Sequence, residues 1–194
     1  MELSLIILTL KVAVVATIIN LPLALVVGWI LVKSNTRCRF FLDVLISFPL
    51  ALPPVTVGFF LLLVLGRTGP VGFLMYKFLS VDIVFTWVAA ALASAVVSFP
   101  LISRAIIVAM SEVDEGVEKT ARSLGAGPWR VIFTITIPLA YKGILAGTLL
   151  GFVRSISEFG ATIAVAGNIP GKTQTLSLAI YSNLQTGNEQ TALY

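Results

Sequence analysis

The sequence has no histidine and only one cysteine, Cys38, among its 194 residues. The absence of histidine removes the side chain that most often serves as a general base or a metal ligand near neutral pH. A single cysteine cannot form a disulfide bond within the chain. We therefore expect no disulfide framework, no metal site and no catalytic reaction carried out by this chain.

Charged residues are also scarce, at 11% of the chain, whereas soluble domains carry about 25%. Hydrophobic residues make up 58%. Three runs without a charged residue, at 12–32, 44–66 and 83–103, reach the length of about 20 residues that a helix needs to cross a bilayer. The composition therefore predicts an all-α membrane protein with several spans.

A fourth apolar run lies between residues 143 and 167, where Arg154 and Glu158 interrupt it. These two residues are four positions apart, so they share one face of a helix and can form an ion pair. We accept this run as a span because such a pair can be buried. The four predicted spans cover about 10–32, 43–66, 83–105 and 140–166.

Basic residues indicate the orientation of the spans. Three lie in the loop 33–39 and four in the segment 111–142, whereas the loop 67–82 has two. Cytoplasmic loops carry the excess of lysine and arginine, so we predict that the first and third loops are cytoplasmic and that the N-terminus is outside. The net charge of +4 is scattered and forms no basic stripe with aromatics, so no nucleic-acid partner is expected.

Prolines interrupt the second predicted span. Pro49, Pro53 and Pro54 lie within it, followed by Gly58, and each proline removes a backbone donor that a helix would use. The span is therefore predicted to be kinked or locally broken. Two readings stay open: a kink that serves only packing, and a bend that opens a cavity or gate along a pathway.

A short amphipathic helix is predicted within the segment 111–138. Val113, Val117, Ala121 and Leu124 recur at helical spacing, and charged residues occupy the other faces. This pattern alone leaves three possibilities: a helix in the lipid headgroups, a solvated connector, or a helix that docks on a cytoplasmic partner.

The ends of this helix carry recognisable signals. Ser111, followed three residues later by Asp114, resembles a capping box. Gly125 can adopt a left-handed conformation that ends the helix. Pro128 suits the first position of a new helix. The segment is thus predicted to form a helix, an elbow and a second helix between two spans.

The segment 124–138, LGAGPWRVIFTITIP, resembles the cytoplasmic signature of ABC-importer permeases, in which a Glu-Ala-Ala core precedes a glycine and a closing proline. The matching positions are Gly125, Ala126, Phe133, Ile135 and Pro138. At the core the chain has Lys119, Thr120 and Ala121, with Glu118 one place earlier. The segments RSISEFGATIAVAGNIPGKTQT, FPLALPPVTVGFFLL and SFPLISRAI are similar to those of molybdate permease subunits.

This resemblance implies a helical bundle of the type I importer kind and a mechanical role in the bacterial or archaeal cytoplasmic (inner) membrane. Two permease chains would form a homodimeric pathway in the lipid, and a periplasmic or extracellular binding protein would deliver molybdate. Two cytoplasmic ATPase subunits would bind ATP and Mg²⁺ and would also bind the short amphipathic helix within 111–138. The residues implied in that coupling are Glu118, Ala121, Leu124, Gly125, Ala126 and Pro138.

The chain has no GxxxxGK[ST] phosphate loop, which agrees with nucleotide binding on a partner and no cofactor on this chain. Tungstate or sulfate and thiosulfate are alternative substrates, and an ATP-independent secondary anion transporter is the alternative mechanism. Arg154 and Glu158 are either a structural pair or part of the anion's pathway. Because 172–194 is too polar to span and ends where an apolar run begins, a further C-terminal span is expected.

Overall fold

The computed structural model describes residues 2–33 and 39–187, and within them the chain is helical without strands. The expectations that concern Arg37, Cys38 and the apolar run at 192–194 lie outside these residues. The helices in chain order are α1 Glu2–Lys33, α2 Arg39–Ala51, α3 Pro54–Leu65, α4 Pro70–Leu79, α5 Trp87–Ser111, α6 Glu115–Ser123, α7 Pro128–Val131, a π-helical segment Ile132–Thr136, α8 Ile137–Ile156, α9 Gly160–Ala166 and α10 Leu176–Gln185.

Three stretches of the described chain are long and apolar enough to cross a membrane: Leu3–Lys33, Trp87–Ser111 and Pro128–Ile156. Helices α2 and α3 together make a fourth candidate, although the chain bends by 113° between them. The predicted all-α membrane fold is therefore confirmed.

The bend between α2 and α3 follows from its prolines. Pro53 is the N-cap of α3 with ψ 137°, and Pro54 occupies the first turn of that helix. A proline has no backbone N–H and disfavours helical geometry in the residue before it. The helix therefore ends at Ala51 and restarts at Pro54, whereas Pro49 is accommodated inside α2.

The fourth span differs from the limits 140–166 that we expected. Its helical stretch begins earlier, at Pro128, and ends at Ile156, and the residues Gly160–Ala166 form the separate helix α9. The break lies at Glu158, which is outside both helices. Its Oε1 accepts a hydrogen bond from the N–H of Ala161 at 2.8 Å. A carboxylate at that position satisfies a backbone donor at the start of a new helix.

Helix α5 lies at the centre of the bundle and packs against α1, α8 and α9. The packing is close because the facing residues are small: a Cβ on Gly143 would stand 2.3 Å from the Cβ of Ala109, and one on Gly147 would stand 2.6 Å from that of Ala105. Small residues let helix backbones approach within a membrane, where no hydrophobic force drives helices together.

A buried polar network joins the three long helices. Asn20 of α1 donates from Nδ2 to the carbonyl of Ala95 at 2.9 Å and to Ser98 Oγ at 3.0 Å. Ser155 of α8 donates to the same Ser98 hydroxyl at 3.0 Å. These bonds tie α1, α5 and α8 at one level of the bundle, where unpaired polar groups would be costly.

Candidate functional site

Helix α6, between two candidate spans, begins one turn later than the expected capping box places it. Asp114 is the N-cap, and its Oδ1 accepts the N–H of Gly116 at 2.7 Å. Ser111 is the last residue of α5, where its hydroxyl donates to the carbonyl of Val108 at 2.7 Å. The capping-box prediction was therefore wrong, because the Ser111 hydroxyl is already used inside the preceding helix.

The C-terminal end of α6 forms the elbow that the sequence pattern predicts. Gly125 has φ +88°, and its N–H donates to the carbonyl of Arg122, while the N–H of Ala126 donates to that of Ala121, both at 3.0 Å. This pair of bonds is the Schellman arrangement, which requires a left-handed residue at the position of Gly125. Gly127 then caps α7.

The apolar face predicted for α6 points mostly away from the described chain. Leu124 is 84% exposed and Val117 is 45% exposed, whereas Val113, before the helix, is buried. Leu124 and Val117 therefore form, with the half-buried Ala121, an apolar surface that the described residues leave partly exposed.

Glu118 points towards the rest of the chain and is buried, with only 4% of its surface exposed. Its Oε2 lies 3.0 Å from Lys33 Nζ at the end of α1. Its Oε1 accepts a hydrogen bond of 2.7 Å from Thr136 Oγ1 in the π-helical segment. The family resemblance places Glu118 in the coupling segment but does not point to Lys33 and Thr136, because no local pattern connects residues so distant in the chain.

Pro138 explains why a π-helical segment precedes α8. A proline inside a helix cannot donate to the carbonyl four residues earlier and its ring clashes with that carbonyl. In the structure the N–H of Ile137 donates to the carbonyl of Ile132, five residues back, so the helix is locally wider. Thr136, at the end of this segment, is buried and faces Glu118.

Aromatic stacking makes a second connection beside Glu118. The rings of Trp29 in α1 and Trp129 in α7 stack with their centroids 5.5 Å apart. Trp129 also stacks on Phe133, at 6.4 Å. The end of α1 is thus joined to α6 by an ion pair and to the segment after the elbow by an aromatic contact.

A second ion pair on α6 is exposed. Lys119 Nζ lies 2.9 Å from Glu115 Oε2, and their side chains are 75% and 71% exposed. The hydrogen bond from Lys119 lowers the pKa of Glu115, and the same contact raises the pKa of Lys119. Both groups stay charged near neutral pH, so the outer surface of α6 combines apolar and ionic side chains.

The structure brings Arg154 and Glu158 together at the break between α8 and α9. Arg154 Nη2 lies 2.8 Å from Glu158 Oε2, and the side chains are 29% and 1% exposed. The other carboxylate oxygen caps α9 through Ala161. The same break lies beside the proline bend, since a Cβ on Gly160 would stand 3.1 Å from Pro54 Cβ.

Another ion pair, between α2 and α5, was not predicted from the sequence. Arg104 Nη1 lies 2.8 Å from Asp43 Oδ1, and Nη2 donates to Ser47 Oγ at 2.5 Å. Asp43 and Arg104 stand directly beside two of the charge-free runs, at 44–66 and 83–103. Opposite charges at the ends of adjacent spans that face the same side of the membrane were the signal that could have found this pair.

Comparison with known proteins gives a consistent match. Residues 20–193 match the family described as "Binding-protein-dependent transport system inner membrane component". The chain is 47% identical over 194 residues to "Molybdenum transport system permease protein ModB" of Haemophilus influenzae, covering 99% of this chain and 85% of that protein. It is 46% identical over 181 residues to the protein of the same name from Escherichia coli strain K12, covering 93% and 79%.

A sulfate permease is similar at lower identity. "Sulfate transport system permease protein CysT" of Escherichia coli strain K12 is 36% identical over 177 residues, covering 91% of this chain and 64% of that protein.

Proposed function

Because the chain belongs to the family of binding-protein-dependent transport system inner membrane components, we propose that it forms the membrane pathway of an ATP-driven importer for molybdate. The substrate is inferred from the relatives named as molybdenum transport permeases, which are 46% and 47% identical over most of their length. The alternatives are tungstate, a dianion of the same tetrahedral shape, and sulfate or thiosulfate, in view of the sulfate permease at 36% identity.

The exposed side chain of Leu124 is the observation that supports docking of an ATPase, and therefore ATP-driven transport. It belongs to the C-cap residue of the short helix α6, next to the left-handed Gly125. A short helix that presents an apolar strip can fill a groove in a partner protein. Ala121, Leu124, Gly125 and Ala126 supply this contact to an ATPase subunit, while Pro138 shapes the start of α8 behind it.

The partners of this importer are a second copy of the chain, two ATPase subunits and a binding protein that delivers the oxyanion from outside. ATP and Mg²⁺ bind to the ATPase subunits, because this chain has no phosphate loop. The chain itself therefore carries out no hydrolysis. It spans the inner membrane several times, in contact with lipid and with its N-terminus outside, in agreement with the distribution of basic residues.

The ion pair of Arg154 with Glu158 has a structural role in this proposal. Both oxygens of the Glu158 carboxylate are occupied, one by Arg154 and one by the N–H of Ala161. The proline bend at Pro53 and Pro54 packs beside this turn. We assign the gate to α2, the helix before the bend, which contains Pro49.

Reconstitution tests the function. The complete permease, its ATPase subunits and its binding protein are placed in vesicles, and uptake of radiolabelled molybdate is measured with and without ATP. We expect uptake only with ATP and all components, and competition by tungstate but not by sulfate. Uptake by the permease alone would show that the chain is a secondary transporter. Competition by sulfate would assign sulfate as the substrate in place of molybdate.

A further inference from the structure

We propose that Glu118 is an internal anchor that transmits the movement of α6 to the spans through Lys33 and Thr136, and that it makes no contact with the ATPase. This inference rests on the proposed function and assigns a different role to one residue of the coupling segment. Glu118 is thus a positioning residue, whereas Leu124 and Val117 belong to the docking surface.

The contacts of Glu118 reach two elements outside its own helix. One carboxylate oxygen meets Lys33 at the end of α1, and the other meets Thr136 at the end of the π-helical segment. Lys33 is itself largely buried, with 14% of its side chain exposed. Since both oxygens are occupied and the residue is buried, Glu118 has neither the access nor a free oxygen with which to bind a partner.

The exposed ion pair on the same helix provides the comparison. Glu115 and Lys119 are both within α6, so their contact cannot carry a displacement to another element. An exposed pair also contributes little to stability, because water screens it. The buried pair is different: removing one partner leaves a buried charge uncompensated, which is strongly unfavourable. Of these two pairs, only the one made by Glu118 can pull α1 along with α6.

The route continues into two spans. Lys33 is the last residue of α1, and the π-helical segment leads directly into α8. The stack of Trp29 on Trp129 holds α1 and α7 together beside the ion pair. A displacement of α6 therefore moves the end of α1 and the start of α8 as one unit. Mechanical coupling requires such a connection between the docking helix and the spans.

The test compares Glu118→Gln with Glu115→Gln in the complete transporter, reconstituted with its ATPase subunits and binding protein. Glutamine keeps the size of the side chain and an acceptor for Thr136 but removes the charge that pairs with Lys33. Two quantities are measured: co-purification of the ATPase subunits, and the molybdate taken up per ATP hydrolysed.

For Glu118→Gln we expect normal co-purification and a fall in uptake per ATP of about tenfold or more, the scale of typical coupling between sites. For Glu115→Gln we expect both quantities to match the unmodified protein. The reversed pair, Lys33→Glu with Glu118→Lys, should recover part of the lost coupling, because it restores opposite charges in the same place.

Three results would overturn the proposal: normal coupling in Glu118→Gln, an equal loss in Glu115→Gln, or loss of ATPase binding in a folded Glu118→Gln protein. If Glu118→Gln does not fold, Thr136→Val replaces it as the test, since it keeps the ion pair and removes only the contact to the π-helical segment. Reduced coupling with intact ATPase binding would then support the anchor, and normal coupling would overturn it. Failure of the unmodified transporter to bind an ATPase would instead reject the proposed function.

Discussion

Gly58 of α3 lies so close to Ala161 of α9 that a Cβ atom on Gly58 would stand 2.5 Å from the carbonyl oxygen of Ala161. The opposing atom belongs to the backbone, so it cannot move aside as a flexible side chain would. This contact holds the helix after the proline bend against the helix after the break at Glu158. It therefore connects the two interruptions that set this fold apart from a bundle of straight spans.

The first prediction concerns this contact. Gly58→Ala should lower the free energy of unfolding by about 1–3 kcal/mol, the usual cost of overpacking, because α3 and α9 must separate. Thermal or denaturant unfolding in detergent measures the change. Gly127→Ala is the control, since a Cβ at that position would have no heavy atom within 4 Å apart from those of the residue itself and its chain neighbours. Equal stability of the two variants would mean that the close approach of α3 to α9 does not contribute to the free energy of unfolding.

The second prediction separates the two readings of Arg154 and Glu158. Arg154→Leu should destabilise the protein by about 3–5 kcal/mol, because it leaves a buried carboxylate without its cation. Glu158→Gln should cost less, since Arg154 is partly exposed and the amide oxygen can still cap α9. Adding Glu158→Gln to Arg154→Leu should recover stability, as unfolding of the single and double variants would reveal.

The double variant also tests passage of the anion. If the pair is structural, vesicles that contain Arg154→Leu with Glu158→Gln retain ATP-dependent molybdate uptake once the protein is folded. A stable double variant without uptake would assign the pair to the pathway instead.

The third prediction concerns the elbow at Gly125. Gly125→Val should strain the backbone by about 1–3 kcal/mol, because a β-branched residue is disfavoured at φ +88°. The elbow would then change direction, and uptake per ATP should fall although the spans remain intact. Gly125→Asn is the matched control, since asparagine tolerates the left-handed conformation. The ratio of molybdate uptake to ATP hydrolysis distinguishes the two, and similar ratios would remove Gly125 from the coupling site.

The fourth prediction concerns the contact of α2 with α5. Arg104→Met should lower the free energy of unfolding by about 1 kcal/mol, because the pair with Asp43 is half-exposed and polar contacts between membrane helices are modest. The exchange Asp43→Arg with Arg104→Asp should restore most of that loss. Unfolding in lipid measures both variants, and an exchange as unstable as Arg104→Met would indicate that the charges do not attract each other across the two helices.

The fifth prediction is a pH dependence in the loop 67–82. Arg67 Nε donates to Asp82 Oδ1 at 2.7 Å, and this hydrogen bond holds the pKa of Asp82 below its usual value. A lowered pKa in the folded state means that the contact contributes stability above the unfolded pKa of about 3.9 and loses it as the pH falls through the lower, folded value. The contact should therefore persist at neutral pH.

The ¹⁵N signal of Arg67 Nε provides the measurement. Its titration midpoint should lie below pH 3.9 or so, the value of an unperturbed aspartate. Asp82→Asn should abolish this titration, and a midpoint at or above the unperturbed value would contradict the assignment.

Local chemistry explains which features could be predicted. The break at Pro53 and Pro54 follows from missing N–H donors, and the elbow at Gly125 follows from the conformational freedom of glycine. The prediction failed at Ser111, whose hydroxyl donates within α5 rather than to the next helix. The fourth span also departed from its expected limits, because Glu158 starts a new helix. In both cases a polar side chain had two possible backbone partners, and the pattern of residue types does not choose between them.

Residue type and spacing along the chain are enough to predict the apolar spans, the helix between them and the family. The inward position of Glu118, against Lys33 and Thr136, and the exposure of Leu124 become visible only in the folded chain. Residue spacing defines the faces of a helix but not which face meets the rest of the protein. That choice is made by packing, which here placed a charged residue inside, where two distant partners compensate it, and left an apolar residue exposed.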